Sequence, residues 1–138
     1  MASRSLTDLA PPVRRAALEL LEKCSDAGLD VLIYCTLRSA SEQAALYASG
    51  RTVAGKVLTN SKPGHSYHNP DKNGEAWAFD AVPMLAGKPL WSDAAALEKM
   101  GSIGESCGLE WAGRWTIFRE KVHFQADKKT IQGAQWDA

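Results

Sequence analysis

The chain has 138 residues, of which 45% are hydrophobic and 23% charged, and its formal net charge is zero. Such a composition excludes wholesale disorder, and such a charge balance excludes a broad electrostatic grip on nucleic acid or anionic membrane. The length suits one domain with a hydrophobic core of its own: residues 1–138, with the core from about 10 to 126 and a polar tail behind it.

In chain order, Pro11-Pro12 opens a helix over 11–24, where Val13, Ala16, Ala17, Leu20, Leu21 and Cys24 recur at helical spacing. Thr7 or Asp8 is its expected cap and Gly28 its end. Residues 29–36 form an apolar, β-rich run that reads as a buried strand. Ser39 or Ser41 caps a short helix over 41–49, stopped by Gly50. From 51 to 73 the chain is loop-like, rich in Gly, Pro, Asn, Ser and Lys.

Over 76–82 the residues alternate. Trp77 and Phe79 belong on a core face, while Ala76, Ala78 and Asp80 share the other, whose small side chains leave space around the carboxylate. Residues 85–90 are turn-like. Ser92 or Asp93 caps a helix to about Cys107, and Gly108 stops it. A last strand over about 121–125 points Val122 and Phe124 inward and His123 the other way. The tail beyond Ala126 is polar and loosely packed, Trp136 excepted. The sum is an α+β fold, with helices on one side of a small, mainly antiparallel sheet.

Cys24, Cys35 and Cys107 are odd in number and form no CxxC pair, which fits buried or free thiols in a reducing compartment. The first residues lack the apolar run of a signal peptide, and no stretch is long and apolar enough to span a bilayer.

The chain has three histidines, His65, His68 and His123. Alone, a strand histidine between Val and Phe is more often structural than a ligand, and Asp80 alone is more often a surface or turn carboxylate. Both, however, lie in strands of matching pattern, each on the face opposite an aromatic core. Pairing those strands brings the two side chains together. A histidine from the loop then closes the site from one side, and by spacing alone His65 and His68 are equal rivals for that place. Two neutral imidazoles and one carboxylate leave a fourth, open position on a tetrahedral zinc ion, the arrangement of a catalytic site. His/carboxylate sites also take other divalent ions.

Glu120 stands three residues before His123, where a general base can reach the attacking water. An extended chain puts positions 120 and 123 on opposite faces, so this role requires a turn or bulge at Glu120-Lys121. Otherwise Glu120 is a solvated member of an Arg-Glu-Lys charge run. Arg38, between a strand and a helix cap, suits a substrate carboxylate because its planar fork binds carboxylates bidentately. By pattern alone it fits a surface salt bridge equally well.

These residues resemble the zinc peptidases of bacterial cell walls that include D-alanyl-D-alanine carboxypeptidases and L-alanyl-D-glutamate endopeptidases, many of the latter phage endolysins. The family pattern is Ser-x-His-x-x-Gly-x-Ala-x-Asp, followed near the end by Asp/Glu-x-x-His. Ser66, His68, Gly74, Ala78 and Asp80 match the first part, and Glu120 and His123 the second. Thr36-Leu37-Arg38-Ser39, Glu42-Gln43, Leu46-Tyr47, Gly50-Arg51-Thr52 and Gly55-Lys56 resemble the endolysin segment before the zinc loop. Val82-Pro83, Gly87-Lys88 and Trp91 resemble the stretch after the aspartate, so the likeness covers about 32–124.

The resemblance implies one zinc ion (Zn2+) per chain held by His68, Asp80 and His123, with Glu120 as catalytic base. It favours His68 over His65, because Ser66 stands two residues before His68. It places Arg38, Ser66 and Gln43 on the substrate side, Arg38 against a peptide carboxylate and Ser66 orienting substrate or loop. Two features depart from the family. The loop between His68 and Asp80 is lengthened, which costs little closure entropy but leaves Asp71 as a remote rival ligand. Gln125 stands where many members carry glutamate, a place behind the metal site at most.

The function so implied is zinc-dependent hydrolysis of peptidoglycan stem peptides between L-alanine and D-glutamate, by an endolysin. Its rivals are a D-alanyl-D-alanine carboxypeptidase and a non-catalytic, zinc-stabilised wall-binding domain. The expected partner is the stem peptide alone, met by a monomer with no nucleic acid and no stable membrane association. The expected route is synthesis in the bacterial host cytoplasm and holin-type release to the wall.

Overall fold

The computed structural model describes residues 2–59, 61, 66–117 and 119–127; His65, Trp136 and the rest of the tail from residue 128 lie outside them. The first helix, α1 (Pro11–Asp26), has prolines at its opening positions and no side-chain cap. Thr7 and Asp8 instead belong to a 3-10 turn, Leu6–Asp8, that Ser5 caps. Physically, two prolines remove backbone donors that a cap would otherwise have to satisfy. At the other end Gly28 adopts φ +78°. The Gly28 and Leu29 N–H groups close back on the Ser25 and Cys24 carbonyls, at 3.0 and 2.8 Å.

β1 (Asp30–Cys35) follows. It is an edge strand rather than the buried one its apolar run suggests, since the sheet order is β1-β2-β5-β4. An apolar run cannot tell a strand covered on both faces from one covered mainly on one; here Ile33 is buried while Leu32 is 39% exposed. α2 (Ala40–Ala48) begins at Ser39, which forms a reciprocal capping box with Glu42.

β2 (Ala78–Leu85) and the short β3 (Lys88–Pro89) form a hairpin. Its two-residue turn, Ala86-Gly87, holds both residues at positive φ, 51° and 76°, as the twist of the flanking strands demands. Asp93 caps α3 (Ala94–Ser106) by accepting the Ala96 N–H. Then come β4 (Leu109–Trp111), which the sequence reading does not anticipate, and β5 (His123–Ala126).

All strand pairs are antiparallel, and α1 and α3 pack on one face of the sheet. On that face Phe79 stacks on Phe124, ring centroids 5.4 Å apart. α3 approaches closely because it carries glycine where it crosses the aromatic rings. A Cβ on Gly104 would lie 2.3 Å from Phe124, and one on Gly101 2.2 Å from Trp111. The Phe79↔Phe124 pairing fixes the register of β2 against β5, so the next pair, Asp80↔His123, faces the other way.

Candidate metal centre and active-site cleft

The opposite face of the β2–β5 pair carries Asp80 and His123 as cross-strand neighbours. His68 enters from the loop above. Its Nε2 lies 3.2 Å from Asp80 Oδ1 and 3.2 Å from His123 Nδ1, and His123 Nδ1 lies 3.1 Å from Asp80 Oδ1. Three donor atoms bound to one tetrahedral zinc ion stand about 3.3 Å from each other. The triangle therefore fits such an ion.

The tautomers fit as well. His68 Nδ1 donates to the Thr36 carbonyl at 2.8 Å, leaving Nε2 as an acceptor. His123 Nε2 donates to Gln125 Oε1 at 2.9 Å, leaving Nδ1 free. Electrostatics point the same way. Burial opposes charge on His68, yet the Asp80 carboxylate outweighs it and pushes the imidazole up to about 10. Burial would raise Asp80, but His68 and His123 hold it well below the usual carboxylate range. Both shifts favour a positive charge at the centre of the triangle.

Cys35 offers a sulfur atom to the same neighbourhood, but on a different edge of the ring. Its Sγ lies 3.8 Å from His68 Nδ1, the nitrogen already engaged by Thr36. It receives Arg38 Nη2 at 3.4 Å. The His-Asp-His set is the one whose acceptor atoms converge.

The loop that delivers His68 is tied down at several points. Ser66 Oγ accepts the His68 N–H at 3.1 Å. Buried Asn69 accepts the Ser66 N–H and donates to the Arg38 and Ser39 carbonyls. The Arg38 N–H returns to the His68 carbonyl at 2.7 Å. Asn69 is thus a positioning residue that the sequence reading misses. Asp71 is no rival ligand: its oxygens accept the Asn73 and Glu75 N–H groups and the Trp77 indole. The extra residues of this loop are organised around that carboxylate.

Glu120 reaches the site through a turn at residues 120–123, as a general base at this position would require. The His123 N–H points back to the Glu120 carbonyl at 3.4 Å, which brings Glu120 Oε2 to 3.8 Å from His123 Nδ1. The same turn shifts the start of β5 to His123 and puts Val122 half into the cleft rather than wholly in the core. Burial raises the Glu120 carboxyl above its ordinary range, against the pull of His123.

Arg38 Nη2 lies 3.7 Å from Asp80 Oδ2, the oxygen not shared with the histidines. Gln43 is fully buried behind it, accepting Arg38 Nη1 at 2.9 Å and donating to the Ser61 carbonyl at 2.8 Å. Gln43 is thus placed to position Arg38 and the cleft rim. Arg38, Ser66, His68, Asp80, Glu120 and His123 all line one cleft of about 510 Å³. Trp115 forms part of its wall, with its ring centroid 5.7 Å from that of His123. Nothing in the sequence flags Trp115. Glu110, which accepts its indole N–H at 3.1 Å, is signalled only by the brief alternation Leu109-Glu110-Trp111 after Gly108.

Among the described residues, no helix is long and apolar enough to cross a membrane. Residues 59–126, which hold every member of the triangle, match a family described as D-alanyl-D-alanine carboxypeptidase. The chain is 31% identical over 129 residues to the peptidoglycan L-alanyl-D-glutamate endopeptidase CwlK of Bacillus subtilis, covering 86% of this chain and 74% of that one. It is 34% identical over 135 residues to the L-alanyl-D-glutamate peptidase of Listeria phage A118, covering 92% of this chain but 42% of the phage protein. In fold it is similar to the L-Ala D-Glu endopeptidase ChiX of Serratia marcescens, with a TM-score of 0.67 at 20% identity, over 94% of this chain and 90% of that one. The chain belongs to the zinc metallopeptidase family of D-alanyl-D-alanine carboxypeptidases and L-alanyl-D-glutamate endopeptidases.

Proposed function

We propose that this protein is a zinc-dependent peptidoglycan endopeptidase that hydrolyses the amide between L-alanine and D-glutamate of the stem peptide. The observation that carries it is the triangle of His68 Nε2, Asp80 Oδ1 and His123 Nδ1 with the Glu120 carboxylate beside it. Zinc held there supplies a Lewis acid for the scissile carbonyl and lowers the pKa of water in the cleft.

The remaining work falls to the chain itself. Glu120 takes the proton of the attacking water and returns it to the leaving amine. Its burial suits this task, because a carboxylate raised toward neutrality is a better proton carrier than a solvated one. Arg38 holds Asp80 with one edge of its guanidinium and lines the cleft, where it can read a free carboxylate of the stem peptide. Trp115 and Val122 wall the cleft and limit the water around the reacting amide. The names of two relatives above 30% identity favour the L-alanyl-D-glutamate bond. The phage relative favours an endolysin, which would work as a monomer on the wall after release from the host cell.

Digestion of a defined stem peptide, with the new termini identified by mass, tests this reading. A new amino-terminal D-glutamate is expected, lost on chelation and regained with zinc. Release of terminal D-alanine alone would overturn it in favour of the carboxypeptidase activity.

A further inference from the structure

The hydrogen bonds behind His123 run in one direction only. From this we infer that Trp115, Glu110 and Gln125 form a positioning relay that selects Nδ1 as the donor atom of His123. The inference rests on the metal reading of the site given above.

The logic follows from what each group can do. An indole N–H only donates, and Trp115 Nε1 gives its proton to Glu110 Oε1 at 3.1 Å. A carboxylate only accepts, and Glu110 Oε2 receives Gln125 Nε2 at 3.2 Å. That commits the amide nitrogen of Gln125 to Glu110, so its oxygen must face His123, 2.9 Å from Nε2. An amide oxygen only accepts, so the imidazole proton sits on Nε2. The lone pair is thereby left on Nδ1, aimed at His68 and Asp80.

The relay is built into the sheet. Glu110 and Gln125 are directly paired across β4 and β5, and His123 and Gln125 stand two residues apart on β5. The Trp115 ring, tilted on that of His123, brings the chain of contacts back to its end. The opposite tautomer would place a hydrogen at the centre of the triangle and exclude the cation.

Glu110→Gln reverses the chain. The new amide takes the Trp115 proton on its oxygen and turns its NH2 toward the NH2 of Gln125. Gln125 must then flip and offer N–H to His123, which moves the imidazole proton to Nδ1. Zinc affinity, measured by competition with a chelating indicator, should fall about 10- to 100-fold, the range usual for groups that orient a ligand. The nitrogen-15 spectrum of His123 should show the exchanged tautomer. Adding Gln125→Glu restores donor facing acceptor at every link: indole to amide oxygen, amide nitrogen to carboxylate, carboxylate to His123 Nε2–H. The double variant should regain zinc affinity to within about threefold of wild type.

Gln125→Leu, which removes the acceptor that holds the Nε2 proton of His123, should weaken zinc several-fold and provides the test if Glu110→Gln does not fold. Wild-type zinc affinity in a folded Glu110→Gln or Gln125→Leu protein overturns the relay, as does a double variant no better than the single one. His123→Ala separates the two claims. If it keeps full zinc affinity, the metal reading itself fails; if it loses zinc while the relay variants do not, only the relay fails.

Discussion

The two faces of the β2–β5 pair are one residue apart along each strand and differ in what satisfies them. On one, Phe79 and Phe124 stack beneath Gly104 and need only contact. On the other, Asp80 and His123 crowd polar atoms within 3.2 Å and are satisfied only when a positive charge joins them. The aromatic face sets the register and the polar face inherits it. Packing thus delivers two site side chains to one point.

The largest expected effect separates chemistry from that scaffold. Glu120→Gln keeps the side chain's shape and removes its proton-accepting oxygen. It should lower kcat by about 10²- to 10⁴-fold while zinc content and the unfolding midpoint stay at wild-type values. Turnover of purified walls at an undiminished rate would remove Glu120 from the reaction. A smaller effect belongs to the other face. Gly104→Ala puts a Cβ 2.3 Å from the Phe124 ring and should cost about 2 kcal/mol, as overpacking of a filled core usually does. Urea unfolding measures that loss. Zinc affinity per folded molecule should not change; if it drops tenfold, the two faces are coupled through Phe124 and not independent.

Much of this arrangement was legible in the sequence, and the reason is local. α1 declares itself through apolar spacing, and α2 and α3 through the caps at Ser39 and Asp93 and the glycines that stop them. The alternation around Asp80 and His123 shows which face each would take, and so the strands could be matched. What was not legible depends on partners. β4 is three residues long, too short for a period, and exists because β5 lies beside it. The edge position of β1 is a fact about the sheet, not about its apolar run. That Gln43 lies fully buried and holds Arg38 depends on how α2 packs, which the motif containing it does not show. Asn69 and Trp115 act through backbone carbonyls and a ring face, contacts that no motif records.

The third site member comes from neither face, and the loop between His68 and Asp80 offers the finest test of the division. Asp71 gathers three N–H groups there, from Asn73, Glu75 and the Trp77 indole. His68 itself is held elsewhere, by Ser66, Thr36 and the return bond from Arg38. Asp71→Ala should therefore cost only about 1 kcal/mol, because its bonds lie in a partly exposed turn where water replaces much of what is lost. Zinc affinity should hold, since none of the removed contacts reaches the imidazole. If zinc binding instead weakens by more than tenfold, the lengthened loop does more than close itself. The rigidity that aims His68 would then begin at Asp71, and the anchors nearer the histidine would not be sufficient on their own.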